Sequence, residues 1–169
     1  MWSALTSPFV GRGLRELDGL ERYVLIGDVV TLLLDSEDTD NELTLHEVVS
    51  VYREGVAMRM HVHPAQTQYF RVMHGIMGYQ IGEQRGTANP GDIVVMPAGV
   101  PHRTWTAQPG ELHALVLTTP GGLDETIRRF GTRAERSTRP VMDITEWEID
   151  ELCEQMLTHD TSVVPQMCE

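Results

Sequence analysis

The sequence contains no lysine, and all thirteen of its basic residues are arginines. Without a lysine ε-amine the chain has neither a Schiff-base nucleophile for a carbonyl substrate nor a lysine clamp for phosphate. Cysteine is nearly as scarce. Cys153 and Cys168 both fall within the last seventeen residues, which is no framework for stapling a fold, and they read as reduced and structurally incidental. Long apolar runs are missing too: near the start the longest is Val29–Val30 followed, after one threonine, by Leu32–Leu34, far short of the roughly 20 residues that cross a bilayer. The opening stretch MWSALTSPFVGRGLRELDG lacks a basic region followed by an apolar segment and a small-residue cleavage site, so the expected location is cytoplasmic. Positive charge is in deficit. A net charge of −12 repels phosphate backbones and anionic membrane surfaces, and neither nucleic acid nor membrane is expected as a partner.

What remains is an ordinary globular balance, 41% apolar and 22% charged over 169 residues, enough for one domain and one core. Residues 1–22 read as an N-terminal arm, with a short helix expected at Leu14–Leu20. Between Tyr23 and Leu34 two β-rich runs are broken at Gly27-Asp28, a turn dipeptide. The acidic stretch SEDTDNE at 36–42 has the wrong spacing for an EF-hand and reads as a solvated loop. Over residues 43–53 the pattern has period two, with Leu43, Leu45, Val49 and Val51 on one face and Thr44, His46, Ser50 and Tyr52 on the other. One face of that strand is expected to be buried. Short β-rich runs then recur as far as Thr119, each bounded by Gly, Pro or Asn, which points to an all-β sandwich or barrel over residues 23–131. No internal repeat is present, so one barrel is expected. Beyond Pro120-Gly121-Gly122 the period becomes helical: Leu123, Ile127 and Phe130 share a face, with Asp124 and Glu125 at the positive end. Residues 132–169 read as linker, helix and tail. Thr145 and Glu148 make a capping box, and Ile149, Leu152, Cys153 and Met156 form a stripe that docks on the barrel or across a dimer.

The chemistry concentrates between Gly55 and His102. His61 and His63, one residue apart on a presumed strand, project to the same face; Gln68 opens the next strand, and His102 arrives from a third. Three imidazoles converging in a dry interior are costly as cations, whereas neutral rings offering lone pairs to one metal ion suit each other. Taken alone, the H-x-H pair also fits two core or surface histidines.

The spacing Gly55-x5-His61-x-His63-x4-Gln68-x6-Gly75, followed by Gly91-x5-Pro97-x-Gly99-x2-His102, closely resembles the paired motifs of the cupin superfamily. The resemblance runs from about Val29 to Phe130, including the TTPGG turn. It implies an all-β jelly-roll barrel holding one divalent metal ion (Zn, Ni or Fe) through His61, His63, Gln68 and His102, with C-terminal helices and a homodimeric assembly.

Two departures bear on function. Where such proteins usually carry a glutamate, this chain has the neutral Gln68, and where they often carry an asparagine it has Thr106. Three imidazoles and an amide leave a divalent ion its full charge. One unit charge at about 4 Å is worth on the order of 4 kcal/mol at an effective dielectric of 20, before desolvation offsets some of it. An anionic oxygen ligand from substrate is therefore favoured, with the ion acting as a Lewis acid on an enolisable carbonyl or phenolic compound. Relatives with three histidines and a glutamine include polyketide cyclases and uronate-isomerising enzymes, which makes a cyclase, isomerase or lyase in specialised metabolism the leading expectation. Three-histidine sites also occur in dioxygenases that cleave diketones or flavonols, and a non-catalytic ligand-binding cupin is a third reading.

For the substrate wall, Arg59 has the parity of His61 and His63. Two readings stay open for it: inward, pairing with an anionic substrate group, or at the barrel mouth in a surface ion pair. Phe70 and Val72 share the parity of Gln68, and Thr104 and Thr106 that of His102, a mixed apolar and hydroxyl wall suited to a small carbonyl-bearing or aromatic ligand. No carboxylate shares the ligands' parity within the motifs, so sequence leaves the general base unplaced.

Overall fold

The computed structural model describes residues 19–159 and 164–165. Most of the expected helix at Leu14–Leu20, together with Cys168 and most of the tail, lies outside them. In chain order the strands are β1 (Glu21–Leu25), β2 (Asp28–Leu34), β3 (Thr44–Val51), β4 (His61–Val62), β5 (Thr67–His74), β6 (Met77–Ile81), β7 (Gln84–Ala88), β8 (Ile93–Met96), β9 (His102–Thr106) and β10 (Glu111–Thr119). Helix α1 (Leu123–Phe130) follows, then β11 (Thr132–Arg133), α2 (Glu146–His159) and β12 (Val164–Pro165). Two antiparallel sheets form, one ordered β11-β1-β2-β3-β10-β5-β8 and the other β12-β4-β9-β6-β7. They pack face to face as a jelly roll, and a core cluster of Val72, Met77, Ala88, Val94, Met96 and Leu112 draws side chains from both.

Local chemistry explains the elements. β1 and β2 are joined through Ile26 and Gly27, both at positive φ (53° and 77°), the signature of a two-residue turn whose twist matches that of its strands. The chain therefore reverses one residue earlier than the Gly27-Asp28 dipeptide suggests. The acidic stretch after β2 is built rather than merely solvated. The Asp38 N–H donates to Asp35 Oδ1 (3.0 Å), the Asp35 N–H donates to Asp38 Oδ2 (3.2 Å), and Asp38 and Thr39 are buried.

β3 corrects the sequence reading more deeply. Thr44, His46 and Ser50 are buried, whereas Leu45 is only half-buried. The polar face of the strand thus turns into the barrel. Val49 and Val51 are buried as well, so both faces of the strand's second half are covered.

The helices close one end. Leu123 and Ile127 of α1 pack against Tyr23, Val30 and Leu32, and the helix is anchored by Arg128, which reaches Glu21 (2.9 Å), Asp35 (2.7 Å) and Asp124 (2.8 Å). α2 begins with the expected capping box: the Thr145 N–H donates to Glu148 Oε2 (2.7 Å) and the Glu148 N–H donates to Thr145 Oγ1 (3.2 Å). Ile149 and Cys153 of α2 form a cluster with Ile26, flanked by Leu25, Met58 and Leu152, so the apolar stripe docks on its own barrel. The Met156 side chain lies outside the described residues. β11 pairs with β1, which carries the larger sheet just past the boundary expected at residue 131.

Candidate metal centre

The two histidine-bearing segments are far apart in sequence and are joined by backbone pairing. His61 stands opposite His102 in the β4–β9 register, and the Gly99 N–H donates to the carbonyl of His63 (2.9 Å). Gly99 has φ +73°, a conformation that glycine adopts without steric cost. The result is three imidazoles with ring centroids 4.6–5.5 Å apart. One ligand nitrogen from each lies within 4.8 Å of the others. His61, His63 and His102 are 7%, 3% and 1% exposed, so water is largely excluded from the cluster.

Backbone carbonyls select the tautomers. His61 Nδ1 lies 2.9 Å from the Arg59 carbonyl and His102 Nδ1 lies 2.8 Å from the Val100 carbonyl. Because a carbonyl oxygen only accepts, each Nδ1 carries the proton and each Nε2 keeps its lone pair. Burial, reinforced by His63 and His102, pushes the His61 pKa down to about 3, and burial lowers that of His102 as well. These two rings are therefore neutral lone-pair donors at physiological pH. His102 Nε2 is buried with no hydrogen-bond partner, a state costing roughly 1–3 kcal/mol if nothing binds there. A divalent ion removes that cost, and the donor set fits one.

These nitrogens open onto a cavity of ≈160 Å³ inside the barrel. Gln68, 5% exposed on β5, lines the same cavity as the triad. Met77, Met96, Phe70 and Ala114 form apolar wall, and Ile149 of α2 lines the cavity too.

Residues 48–118 match the cupin domain family. The fold is that of a cupin jelly roll. Among solved structures the fold is similar to that of KdgF from a Halomonas species, at 19% identity and a TM-score of 0.52, covering 62% of this chain and 89% of that one. It is also similar to a predicted oxalate decarboxylase from Thermotoga maritima, at 17% identity and a TM-score of 0.50, covering 60% of this chain and 91% of that one. At these identities the likeness is one of fold. No curated protein sequence matches the chain.

The residues expected to form a substrate wall are placed differently with respect to the cavity. Phe70, Thr104 and Thr106 line the cavity. Val72 points inward but is wholly enclosed in the neighbouring core cluster. Of the two readings left open for Arg59, the structure shows the ion pair and not the inward one: its side chain, 43% exposed, pairs with Asp150 and Glu154 of α2 and does not line the cavity. The reason is local. β4 begins only at His61, so strand parity does not extend back to Arg59.

Among the lining residues that escaped the sequence reading because they lie outside the motifs are Asp28, His46 and Ser50. The period-two pattern of β3 contained the signal for the last two, on its more polar face. His46 is 5% exposed, and its Nδ1 is buried without a partner. Burial lowers its pKa from 6.5 to about 4, against the pull of Asp124. Between those values the unfolded chain binds a proton that the folded chain does not, so stability present above pH 6.5 is lost as pH falls towards 4. The whole span corresponds to roughly 3 kcal/mol. His46→Leu is expected to lose less stability than wild type between pH 7 and pH 4.5 in urea unfolding. Equal acid sensitivity in the two proteins would show that His46 does not contribute.

Proposed function

We propose that this cupin is a metal-dependent enzyme acting on a small enolisable carbonyl or phenolic compound, without redox change, of cyclase, isomerase or lyase type. The observation that carries the reading is the donor set: three clustered, buried imidazoles, with a neutral amide, Gln68, on the wall of the same cavity. When bound, a divalent ion supplies Lewis acidity towards a substrate oxygen. The protein's part is to hold His61 and His102 in the required tautomers through the Arg59 and Val100 carbonyls, with His63 clustered against them. Gln68 lets the centre keep its charge, and burial of the triad strengthens attraction for an anionic oxygen.

Cavity size restricts the substrate class. A void of about 150 Å³ accommodates benzene, so ≈160 Å³ suits one ring or a short chain, and only part of a polycyclic polyketide would enter. The reading is tested by incubating metal-loaded protein with small diketones and phenols in D₂O. Metal-dependent deuterium incorporation at the enolisable carbon, with no oxygen consumed, is expected. Oxygen uptake stoichiometric with product would sink the non-redox reading in favour of a dioxygenase, and tight binding without exchange or turnover would favour a ligand-binding role.

Gln68→Glu tests the charge argument separately. The variant is expected to retain the ion while binding an anionic ligand such as benzoate at least tenfold more weakly, because the added carboxylate cancels one unit of charge. Calorimetric titration with unchanged affinity would show that the neutral amide is irrelevant to ligand choice.

A further inference from the structure

Away from the histidines the cavity contains a second polar group whose protons are ordered. Thr106 lies four residues along β9 from His102, which places their Cα atoms about 13 Å apart, and both Thr106 and Ser50 line the cavity. Thr106 is 6% exposed and Ser50 7%. Behind them sits Asp28, whose Oδ1 receives the Arg53 Nη1–H (3.0 Å) and lies 2.7 Å from Ser50 Oγ.

The direction of each bond follows from what each atom is able to do. Arg53 has only donors, so Asp28 Oδ1 is an acceptor. Ser50 must therefore give its one hydroxyl proton to Asp28. With that proton committed, the 3.1 Å contact between Thr106 Oγ1 and Ser50 Oγ requires Thr106 to donate to Ser50. Thr106 is then left with lone pairs alone for any further partner. Asp28, held by Arg53, thus fixes the polarity of a hydroxyl two links away.

We propose that Thr106, oriented through Ser50 and Asp28, is a specificity-determining acceptor that selects ligands carrying a hydroxyl or N–H donor at the end remote from the histidines. This rests on the reading of His61, His63, Gln68 and His102 as a metal centre that takes the anionic end of the ligand. The favoured class is a six-membered ring with an anionic oxygen group at one end and a hydroxyl opposite. A carboxylate or ether in the remote position offers Thr106 no proton and leaves it unpaired.

The test uses zinc-loaded protein and two rings of nearly equal shape, 4-hydroxybenzoate and 4-methylbenzoate, titrated by calorimetry with and without chelator. The hydroxyl compound is expected to bind roughly tenfold more tightly. Thr106→Val is expected to reduce that preference to near unity, while Thr106→Ser, which keeps the hydroxyl, retains it. Equal affinities in the wild type, or a preference undiminished in Thr106→Val, overturn the proposal. If both compounds bind equally well after chelation, the metal reading fails, and the hydroxyl preference still stands or falls on its own comparison. Absence of binding by either ring overturns both.

Discussion

Replacement of His102 by alanine is expected to reduce bound metal from about one ion per chain to well below that, with the same outcome for His61→Ala. Each variant leaves two imidazoles where three nitrogens lay within 4.8 Å of one another. Loss of even a hundredfold in affinity abolishes, at an ion concentration of 100 Kd, most of about 2.7 kcal/mol of metal-dependent stabilisation. Metal content by mass spectrometry and the melting temperature with and without chelator measure the effect. A chelator-induced shift is expected in the wild type and should be nearly absent in the variants. The chelated proteins should differ much less, because His102→Ala also removes a buried nitrogen that has no hydrogen-bond partner in the protein. Full metal occupancy in both variants would show that the ion sits elsewhere.

Arg53→Met is expected to cost about 3 kcal/mol of folding stability in urea unfolding at pH 7, a large share of the roughly 5–15 kcal/mol typical of a domain. The Arg53 side chain is 9% exposed and serves three acceptors: Asp28, the Gly27 carbonyl (2.9 Å) and the Val141 carbonyl (2.8 Å). It thereby ties the β1–β2 turn to the linker before α2. Methionine fills much of the volume and supplies none of the donors. Breaking a fully buried ion pair costs roughly 3–5 kcal/mol, and the partial exposure of Asp28, 28% for its side chain, places the expectation at the low end. The sign of the pH dependence adds a check. Burial already pushes the Asp28 pKa up, and Arg53 opposes that shift. Without Arg53 the carboxyl group rises further and takes up a proton more readily in the folded state, so the defect should shrink as pH is lowered from 7 to 5. Asp28→Asn combined with Arg53→Met should recover part of the loss. A defect below 1 kcal/mol at pH 7 would show that Asp28 does not depend on the pair.

The histidine cluster was legible because its spacing is set by backbone constraints. His61 and His63 flank the end of a short strand, and Gly99 supplies the turn that brings His102 alongside. The walls were less legible for two physical reasons. In a barrel that encloses a cavity the inner face need not be the apolar one, so the period-two pattern of β3 separates two faces without announcing that His46 and Ser50 line the cavity. Parity also fails beyond the ends of a strand, which is why Arg59 does not follow His61 inward. Asp28 and Arg53 lie 25 positions apart and outside both motifs. Only the pairing of β2 with β3 brings Asp28 alongside Ser50, and no local pattern announces it.

The Arg128 hub gives the junction between α1 and the barrel a one-sided response to pH. A guanidinium keeps its proton beyond pH 12, whereas an ammonium in the same place would begin to discharge near 10.4. Its partner Glu21 has its carboxyl pKa lowered from 4.5 to about 2, chiefly by the hydrogen bond from Arg128. That contribution is complete above pH 4.5 and fades only as pH falls through about 2. Alkaline media therefore leave this joint charged and intact, and a chain whose cations are all guanidinium groups offers no side-chain amine to acylating reagents.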